Sequence, residues 1–182
     1  MTCILTEVIL VNEKDEQTGT MEKMEAHLKG LLHRAFSIFI FNSKGEILLQ
    51  QRAPGKYHNG GLWTNTCCSH PLPGENVVAA AKRRLLEEMG FTTNISPLFN
   101  FTYKATFDNG LTEYEYDHVL TGVYDGRVKT DAAEVSDYCF KTIADIEASL
   151  LTHSQKYTEW FKLAFPRIKK YHLEKFSIAQ NI

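Results

Sequence analysis

The residues in this chain best suited to bind a divalent metal ion are three histidines and two glutamates. The imidazole donors are His27, His33 and His70. The carboxylate donors, Glu113 and Glu115, share one face of any strand they occupy, because alternate strand residues point the same way. Such a mixed nitrogen and oxygen set suits Mg²⁺, Mn²⁺ or Zn²⁺ in an expanded coordination shell. Each histidine alone is more simply explained as a surface or core residue, so the prediction requires all five to converge.

The four cysteines are the other candidates for chemistry, and they are Cys3, Cys67, Cys68 and Cys139. Two of them are adjacent, and no framework of evenly spaced half-cystines appears, so a secreted disulfide scaffold is excluded. No C-x-x-C pair is present that would form a closed zinc site. A free cysteine is then either a small buried apolar residue or a reactive thiol.

Composition excludes several classes of protein. The length of 182 residues predicts a single domain over residues 1–182, and 43% apolar with 23% charged residues is ordinary for a globular chain. A formal net charge of −2 argues against nucleic acid and membrane surfaces as partners and favours a small molecule. No apolar run spans a bilayer and residues 1–12 lack a signal-peptide layout, so we expect a cytoplasmic protein. The sequence leaves the oligomeric state open, and a monomer is the expectation.

The elements that would position these residues are indicated by the spacing of apolar side chains. Strands are predicted at Val8–Val11, Ala35–Phe41, Glu46–Gln51, Phe99–Phe107 and Thr112–Val123. Helices are predicted at Asn76–Met89, Thr142–Leu151 and Ser154–Tyr171, with Pro166 bending or interrupting the last. Asn76 is the expected N-cap and Gly90 the expected left-handed C-cap of the first helix. The combination predicts an α+β fold, an α/β/α sandwich with helices around mostly antiparallel strands.

The last two predicted strands form a hairpin whose loop decides which side chains face each other. A two-residue turn would place Lys104 opposite Glu115. A three-residue loop at Asp108–Gly110, with glycine at the left-handed position, places Tyr103 opposite Glu115 instead. We expect the three-residue loop, which would join a phenol to the carboxylates of Glu113 and Glu115.

A loop and helix between Ser69 and Phe91 place charged residues at a recognisable spacing, at Glu75, Arg83, Glu87 and Glu88. This spacing resembles the Nudix box, G-x5-E-x7-R-E-U-x-E-E-x-G-U, whose acidic side chains face a metal bound to diphosphate oxygens. Two positions depart from it, since Ser69 replaces the first glycine and Arg84 replaces the glutamate after the arginine. Taken alone, the helix is better explained by ordinary ion pairs between residues four apart than by a functional role.

A longer pattern joins His27 and His33 to the segment Trp63–Pro71, W-T-N-T-C-C-S-H-P, and to the E-Y-E of Glu113 to Glu115. It resembles the type I isopentenyl-diphosphate Delta-isomerases, a divergent Nudix family, over most of the chain from Thr20 to Trp160. The W-T-N-x-x-C-[SG]-H-P core is specific, and the departures from the Nudix box agree with a family that isomerises rather than hydrolyses. The resemblance implies a Nudix-like mixed or antiparallel sheet flanked by helices. It also implies interconversion of isopentenyl and dimethylallyl diphosphate in isoprenoid biosynthesis.

That reaction protonates an alkene and removes a proton elsewhere, through an intermediate that resembles a tertiary carbocation. It needs an acid and a base on opposite faces of a short carbon chain, in a site that excludes water. The resemblance implies that Cys68 and Glu115 are this pair, and it leaves open which is the acid in the forward direction. Tyr103 is expected to relay or hold the proton, and Trp160 is implied to stabilise the cation with its ring face. Cys67 is expected to be only a small buried side chain.

The resemblance further implies two metal sites and a basic diphosphate site. The basic residues are Lys23, Arg52, Lys56 and Arg84, which would form charge-assisted bonds to phosphate oxygens. One metal ion, Mn²⁺, Mg²⁺ or Zn²⁺, is expected at His27, His33, His70, Glu113 and Glu115. A second ion, Mg²⁺ held by Glu88, is expected to bridge to the diphosphate.

Two other functions remain possible from the sequence. A Nudix-type hydrolase of a nucleoside diphosphate derivative would need the full acidic cluster, from which Arg84 removes one carboxylate. A non-catalytic metal-binding or regulatory module that kept the fold would be expected to have lost Cys68, Glu115 and Tyr103 first.

Overall fold

The computed structural model of the chain describes residues 6–56 and 58–176, in which nine strands and four α-helices are found. The strands are β1 (Glu7–Val11), β2 (Gln17–Glu22), β3 (His33–Phe41), β4 (Ile47–Arg52), β5 (Trp63–Thr64), β6 (Cys67–Ser69), β7 (Ile95–Thr106), β8 (Thr112–Val123) and β9 (Val135–Lys141). The helices are α1 (Lys23–Lys29), α2 (Val77–Met89), α3 (Ile143–His153) and α4 (Glu159–Phe176). Cys3 lies outside the described residues. The expectation of one domain over residues 1–182 stays a prediction.

Strand β3 is the centre of a mixed sheet. It pairs in parallel with β8 along its whole length and antiparallel with β1, β4 and β6. Almost every residue of β3 is buried, because helices cover both faces of the sheet. The expected α+β sandwich is therefore confirmed. No helix in the described ranges is both long and apolar enough to cross a bilayer.

Alternate residues of β3 enter two different apolar layers. Phe36, Ile38 and Ile40 pack with Leu85 of α2 and its neighbours on one side. Phe39 and Phe41 pack on the other side with apolar residues of α4, among them Phe161 and Phe165. Fully burying an aliphatic or aromatic side chain of this size contributes about 1.5–3 kcal/mol, so the sheet is anchored from both faces.

Helix α2 begins and ends at the residues that the sequence indicates. The side-chain oxygen of Asn76 accepts hydrogen bonds from the backbone of Val78 at 2.9 Å and of Ala79 at 3.3 Å. Gly90 closes the helix in the left-handed conformation, with φ of 73°. These caps satisfy backbone groups that a free helix end would leave without partners.

The β7–β8 hairpin has the predicted three-residue loop. Tyr103 pairs with Glu115 in the register of the two strands. The loop Asp108–Gly110 is closed by a hydrogen bond of 2.9 Å from the backbone N–H of Phe107 to the carbonyl of Leu111. Gly110, with φ of 81°, supplies its left-handed last position.

The sequence patterns did not predict α1, β2, β5, β6 or β9, and they placed the start of the last helix incorrectly. β9 is an edge strand with mostly exposed or half-exposed residues, so its apolar pattern is weak. The predicted helix Ser154–Tyr171 begins five residues later, because Tyr157 forms a parallel bridge with Trp63 and the backbone N–H of Thr158 donates to the carbonyl of Trp63. α4 also continues through Pro166 without interruption to Phe176, since packing against the sheet outweighs the one hydrogen bond that proline removes.

We predict that Gly90→Ala destabilises the protein by at least about 2 kcal/mol. An added Cβ would lie 2.2 Å from the carbonyl oxygen of Lys129, and left-handed φ is itself unfavourable for alanine. Gly110→Ala is the matched control, because its φ is similar but an added Cβ meets nothing within 4 Å, so about 1 kcal/mol is expected. Urea unfolding measures both, and equal losses would contradict the prediction.

Candidate active site

One pocket gathers most of the residues that the sequence singles out. Its lining includes Lys23, Arg52, Lys56, Cys68, His70, Arg84, Glu88, Tyr103, Glu113, Glu115 and Trp160. The two remaining predicted residues, His27 and His33, are fully buried beside it and belong to the same histidine cluster as His70. All thirteen predicted residues therefore meet in one region of the fold.

Four of the five predicted metal ligands form a compact group. The candidate ligand atoms of His27, His33, His70 and Glu115 all lie within 4.8 Å of one another. The parallel pairing of β3 with β8 places His33 directly beside Glu115. Oε1 of Glu115 lies 3.0 Å from Nε2 of His70 and 3.5 Å from Nε2 of His33. The register of these two strands thus brings His33 and Glu115, more than eighty positions apart in sequence, close enough to bind the same metal ion.

The fifth predicted ligand belongs to a second group, which includes a histidine that the sequence did not indicate. His27, His58 and Glu113 also have ligand atoms within 4.8 Å of one another. Nε2 of His58 lies 2.9 Å from Oε1 of Glu113. His58 follows β4 in an irregular loop, so neither strand nor helix periodicity could have pointed to it. Its only sequence signal is its residue type.

The protonation of the histidines suits metal binding. Nδ1 of His27 donates to the carbonyl of Lys23 at 2.6 Å, and Nδ1 of His33 donates to that of Leu31 at 2.8 Å. Each proton is thereby fixed on Nδ1, and the lone pair of Nε2 is directed to the cluster, which is the usual arrangement around metal-bound imidazole. Burial lowers the pKa of His27 to about 4 and that of His70 to about 3, so both rings are neutral at neutral pH. This donor set fits a divalent transition-metal ion.

Tyr103 joins the two carboxylates. Its hydroxyl donates a hydrogen bond of 2.7 Å to Oε2 of Glu115 and lies 3.1 Å from Oε2 of Glu113. Burial, reinforced by the charge of Glu115, raises the pKa of Glu113 well above its usual value. Burial acts in the same direction on Glu115, but the neighbouring imidazoles of His33 and His70 hold its pKa well below the usual value. The environment therefore shifts the pKa values of two chemically identical carboxyl groups in opposite directions.

The adjacent cysteines have opposite environments because β6 is a strand. Cys67 is fully buried in the apolar layer under α2, as expected. Cys68 points the other way, into the pocket, where Nη1 of Arg52 lies 3.9 Å from its sulfur. Burial raises the pKa of Cys68 to about 12, and the nearby Arg52 charge only partly offsets that effect. The thiol is therefore protonated at neutral pH.

The W-T-N segment fixes the aromatic wall of the pocket. Nε1 of Trp160 donates to Oδ1 of Asn65 at 3.1 Å, and the amide nitrogen of Asn65 donates to the carbonyl of Cys67 at 2.7 Å. Asn65 thus ties the tryptophan of α4 to the backbone beside Cys68. The guanidinium of Arg52 lies 5.3 Å from the centroid of the Trp160 ring, so the ring already accepts a cation.

The basic residues lie close together and are partly neutralised by carboxylates. Arg84 contacts Glu88 at 2.7 Å and Glu134 at 3.1 Å, and Lys56 also pairs with Glu134. Burial and the neighbouring positive charge of Lys56 lower the pKa of Lys23. Glu134 was not predicted, because it precedes the weakly patterned strand β9. It holds two of the four cations that the sequence singles out.

Most charges of the Nudix-like box are structural in this chain. Arg83 makes two hydrogen bonds of 2.8 Å to the carboxylate of Glu75 and also pairs with Glu87. This link ties the loop before α2 to the helix. None of these three residues lines the pocket described above, whereas Arg84 and Glu88 do.

Comparison with known proteins identifies relatives over most of the chain. The NUDIX domain family matches residues 31–162. An isopentenyl-diphosphate Delta-isomerase of Pectobacterium atrosepticum is 52% identical over 167 residues, which cover 92% of this chain and 93% of that protein. Isopentenyl-diphosphate Delta-isomerase 2 of Aromatoleum aromaticum is 44% identical over 162 residues, covering 89% and 86%.

Solved structures show the same fold at low sequence identity. A Deinococcus radiodurans protein of known crystal structure aligns with a TM-score of 0.74 and 20% identity, covering 88% of this chain and 98% of that one. A MutT protein of Methanosarcina mazei aligns with a TM-score of 0.64 and 21% identity, covering 77% and 94%. At this identity the likeness concerns the fold alone.

We predict that Tyr103→Phe destabilises the metal-free protein by about 1–3 kcal/mol, because two buried carboxylates lose their shared donor. A divalent cation binds carboxylates directly, so added Mn²⁺ should reduce the loss. Tyr116→Phe is the matched control, since Tyr116 lies on β8, the strand that carries both glutamates, and its hydroxyl makes a 3.5 Å contact with Asn100. Urea unfolding with and without Mn²⁺ measures the effect. A loss that is the same with and without metal would contradict it.

Proposed function

Because the chain belongs to the family of NUDIX-domain isopentenyl-diphosphate Delta-isomerases, we propose that it interconverts isopentenyl diphosphate and dimethylallyl diphosphate. The observation that carries the proposal is the shared pocket. It is lined by a protonated thiol, Cys68, and by an ionised carboxylate, Glu115, beside a group of histidines. An acid and a base held in one enclosed site are what a proton-transfer isomerase requires.

The reaction moves one double bond by one position, and its protons balance. A proton is added to the terminal carbon of the alkene, which leaves a positive charge on the tertiary carbon. A second proton is removed from the methylene carbon that lies between the tertiary carbon and the carbon bonded to the diphosphate oxygen. The internal double bond forms between the tertiary carbon and this methylene carbon. Cys68 and Glu115 perform these two transfers, and they exchange roles when the reaction runs backwards.

Tyr103 and the histidines prepare Glu115 for its part. The phenol hydrogen bond and the contacts with His33 and His70 hold the carboxylate ionised and oriented despite its burial. Tyr103 is also placed to pass a proton between Glu113 and Glu115, since its hydroxyl contacts both. Its own pKa is raised well above the usual value by burial, so it remains a neutral donor.

Trp160 stabilises the cationic intermediate. An aromatic face attracts a desolvated positive charge by roughly 2 kcal/mol or more and offers no lone pair that would trap it. Trp160 is buried and its position is fixed through Asn65, so little reorganisation is needed as the charge develops. Phe36 lines the same pocket and helps to exclude water from the cation.

Lys23, Arg52, Lys56 and Arg84 bind the diphosphate. Before substrate binds, Glu134 neutralises Lys56 and Arg84 and holds them in position. A diphosphate offers more negative charge than this single carboxylate, so it can replace Glu134 as the partner of both cations. The bound diphosphate thereby fixes the position of the carbon chain relative to Cys68.

Two metal sites accompany this arrangement. His27, His33, His70, Glu113 and Glu115 hold one ion, for which Mn²⁺, Mg²⁺ and Zn²⁺ are the candidates. When bound, that ion supplies positive charge that neutralises the buried carboxylates. Glu88, held at the pocket wall by Arg84 and by Gln50 at 3.1 Å, would provide a carboxylate for a second ion, Mg²⁺, that binds together with the diphosphate. A cytoplasmic location and a monomeric state stay predictions.

A Nudix-type hydrolase is the alternative, and the box argues against it. Glu75 and Arg83 bind each other, and Arg84 stands where a hydrolase has a carboxylate. An arginine at that position attracts phosphate, and it removes one carboxylate of the acidic cluster that a hydrolase needs. Product analysis separates the two functions, because a hydrolase releases phosphate and forms no allylic diphosphate.

We predict that Cys68→Ala removes turnover, with a loss of at least about 10²–10⁴-fold, because the reaction loses one of its two proton carriers. Cys67→Ala is the matched control, since Cys67 lies in the apolar layer under α2 and its loss creates only a small cavity. The control is expected to keep most of the activity and to lose about 1 kcal/mol of stability. Conversion of isopentenyl diphosphate, followed by detection of the allylic product, measures both. Equal activity in the two variants would remove Cys68 from its role.

We predict that a chelator abolishes isomerisation and that added Mg²⁺ or Mn²⁺ restores it, because the buried carboxylates need a cation to neutralise them. The measurement is allylic diphosphate formation before chelation, after chelation and after each metal is returned. Undiminished activity in protein shown by elemental analysis to be metal-free would contradict the prediction. Unchanged isopentenyl diphosphate after hours with metal-loaded protein would favour a non-catalytic module.

A further inference from the structure

His58 is buried in the pocket, although it lies in an irregular loop between β4 and β5. Its ring stacks on Phe107, with centroids 5.0 Å apart and planes 10° from parallel. The edge of the ring also meets Trp160, at a centroid distance of 6.2 Å. A loop imidazole clamped by two aromatic rings has a defined orientation, which a ligand requires and a solvated loop residue lacks.

The orientation directs Nε2 of His58 at Glu113. The two atoms are 2.9 Å apart, and the corresponding distance from Nε2 of His70 to Glu115 is 3.0 Å. In an octahedral complex with bonds of about 2.1 Å, neighbouring ligand atoms lie about 3.0 Å apart. His58 therefore has the same relation to Glu113 as a predicted metal ligand, His70, has to Glu115.

His27 connects the two groups of potential ligands. It belongs both to the group with His33, His70 and Glu115 and to the group with His58 and Glu113. Nδ1 of His27 is occupied by the carbonyl of Lys23, so only Nε2 can bind a metal, and one lone pair binds one ion. A single ion that uses His27 can therefore draw ligands from both groups, which are adjacent through that residue.

The other ring nitrogen of His58 also has a suitable neighbour. Nδ1 lies 2.9 Å from the side-chain amide of Asn59. An amide carries a donor on one side and an acceptor on the other, and a half-turn exchanges them. The structure places the amide nitrogen of Asn59 at Nδ1, and the half-turn would instead place the amide oxygen there. That oxygen would accept a hydrogen bond from the Nδ1–H of a neutral, metal-bound His58, as the backbone carbonyls do for His27 and His33.

We propose that His58 is a sixth ligand of the metal centre and supplies a fourth imidazole through Nε2, beside Glu113. The inference rests on the metal centre of the proposed function and deepens it. Six side chains would fill an octahedral shell and leave no position for a metal-bound water. Such a closed shell belongs to an ion that neutralises and orients carboxylates, whereas a hydrolytic metal keeps a position open. Four nitrogen donors also favour Zn²⁺ or another imidazole-binding metal over Mg²⁺.

The test counts the coordinated imidazoles without using activity. Metal-free protein is loaded with Co²⁺ in the absence of diphosphate, and proton NMR records the strongly shifted N–H signals, one for each bound histidine. The wild-type protein is expected to show four such signals and His58→Gln three. Glutamine can still donate a hydrogen bond to Glu113 but is a poor ligand for these metals. The affinity for Co²⁺ in chelator competition is expected to fall about tenfold or more.

His118→Gln is the matched control, because His118 pairs with Asp15 and belongs to neither ligand group. It is expected to keep four signals and the wild-type affinity. The same number of shifted signals in His58→Gln as in the wild type would overturn the proposal, even with weaker binding, since His58 would then act only through Glu113. If His58→Gln does not fold, the number of shifted N–H signals in the wild-type protein tests the proposal. Four signals support it and three overturn it. The number of signals does not depend on catalysis. Product analysis tests the isomerase activity separately, so failure of one proposal is distinguished from failure of the other.

Discussion

The buried contact among Glu115, His33, His70 and Tyr103 is the interaction on which the rest of the site depends. A carboxylate in the interior is strongly destabilising unless its charge is matched by donors or a cation. Here the parallel pairing of β3 and β8 brings His33 alongside Glu115, and the β7–β8 hairpin brings Tyr103 across from it. The sheet therefore has to form in this one register for the charge to be compensated. A slip of one residue would direct both glutamates to the opposite face.

The same compensation operates at the basic end of the pocket, but with a different outcome. Glu134 and Glu88 hold Arg84, and Glu134 also holds Lys56, so the cations are positioned before any diphosphate arrives. The side chains of Lys56, Arg84 and Glu134 keep 20–23% of their exposure, so water and small anions reach these contacts. The proposed function has a diphosphate replace Glu134 there. The end of the pocket with the histidines and Glu115 is deeply buried and already held by contacts within the protein.

The fold is shared with proteins of other activities, so the function depends on particular residues of the site. The helix that carries the Nudix-like box keeps its place against the sheet, and Leu85 and Met89 anchor it in the core. Its charges are used differently, since Arg83 and Glu75 bind each other and leave only Arg84 and Glu88 at the pocket. The strand β6 then supplies what a hydrolase pocket does not need, a buried protonated thiol facing the carboxylates.

Local patterns in the sequence determined the caps of α2, the three-residue hairpin loop, and the shared face of Glu113 and Glu115. Each follows from backbone periodicity or turn chemistry over a few residues. The resemblance to the family then indicated which distant residues come together in one site, and that Cys68 rather than Cys67 belongs to it. Only the tertiary structure revealed His58, Glu134 and the role of Asn65, and only it placed α4 correctly. His58 lies in a loop without periodicity, and Glu134 precedes an edge strand with a weak apolar pattern. Their positions result from long-range pairing, because the strands and loops that carry them are distant in sequence from the residues they contact.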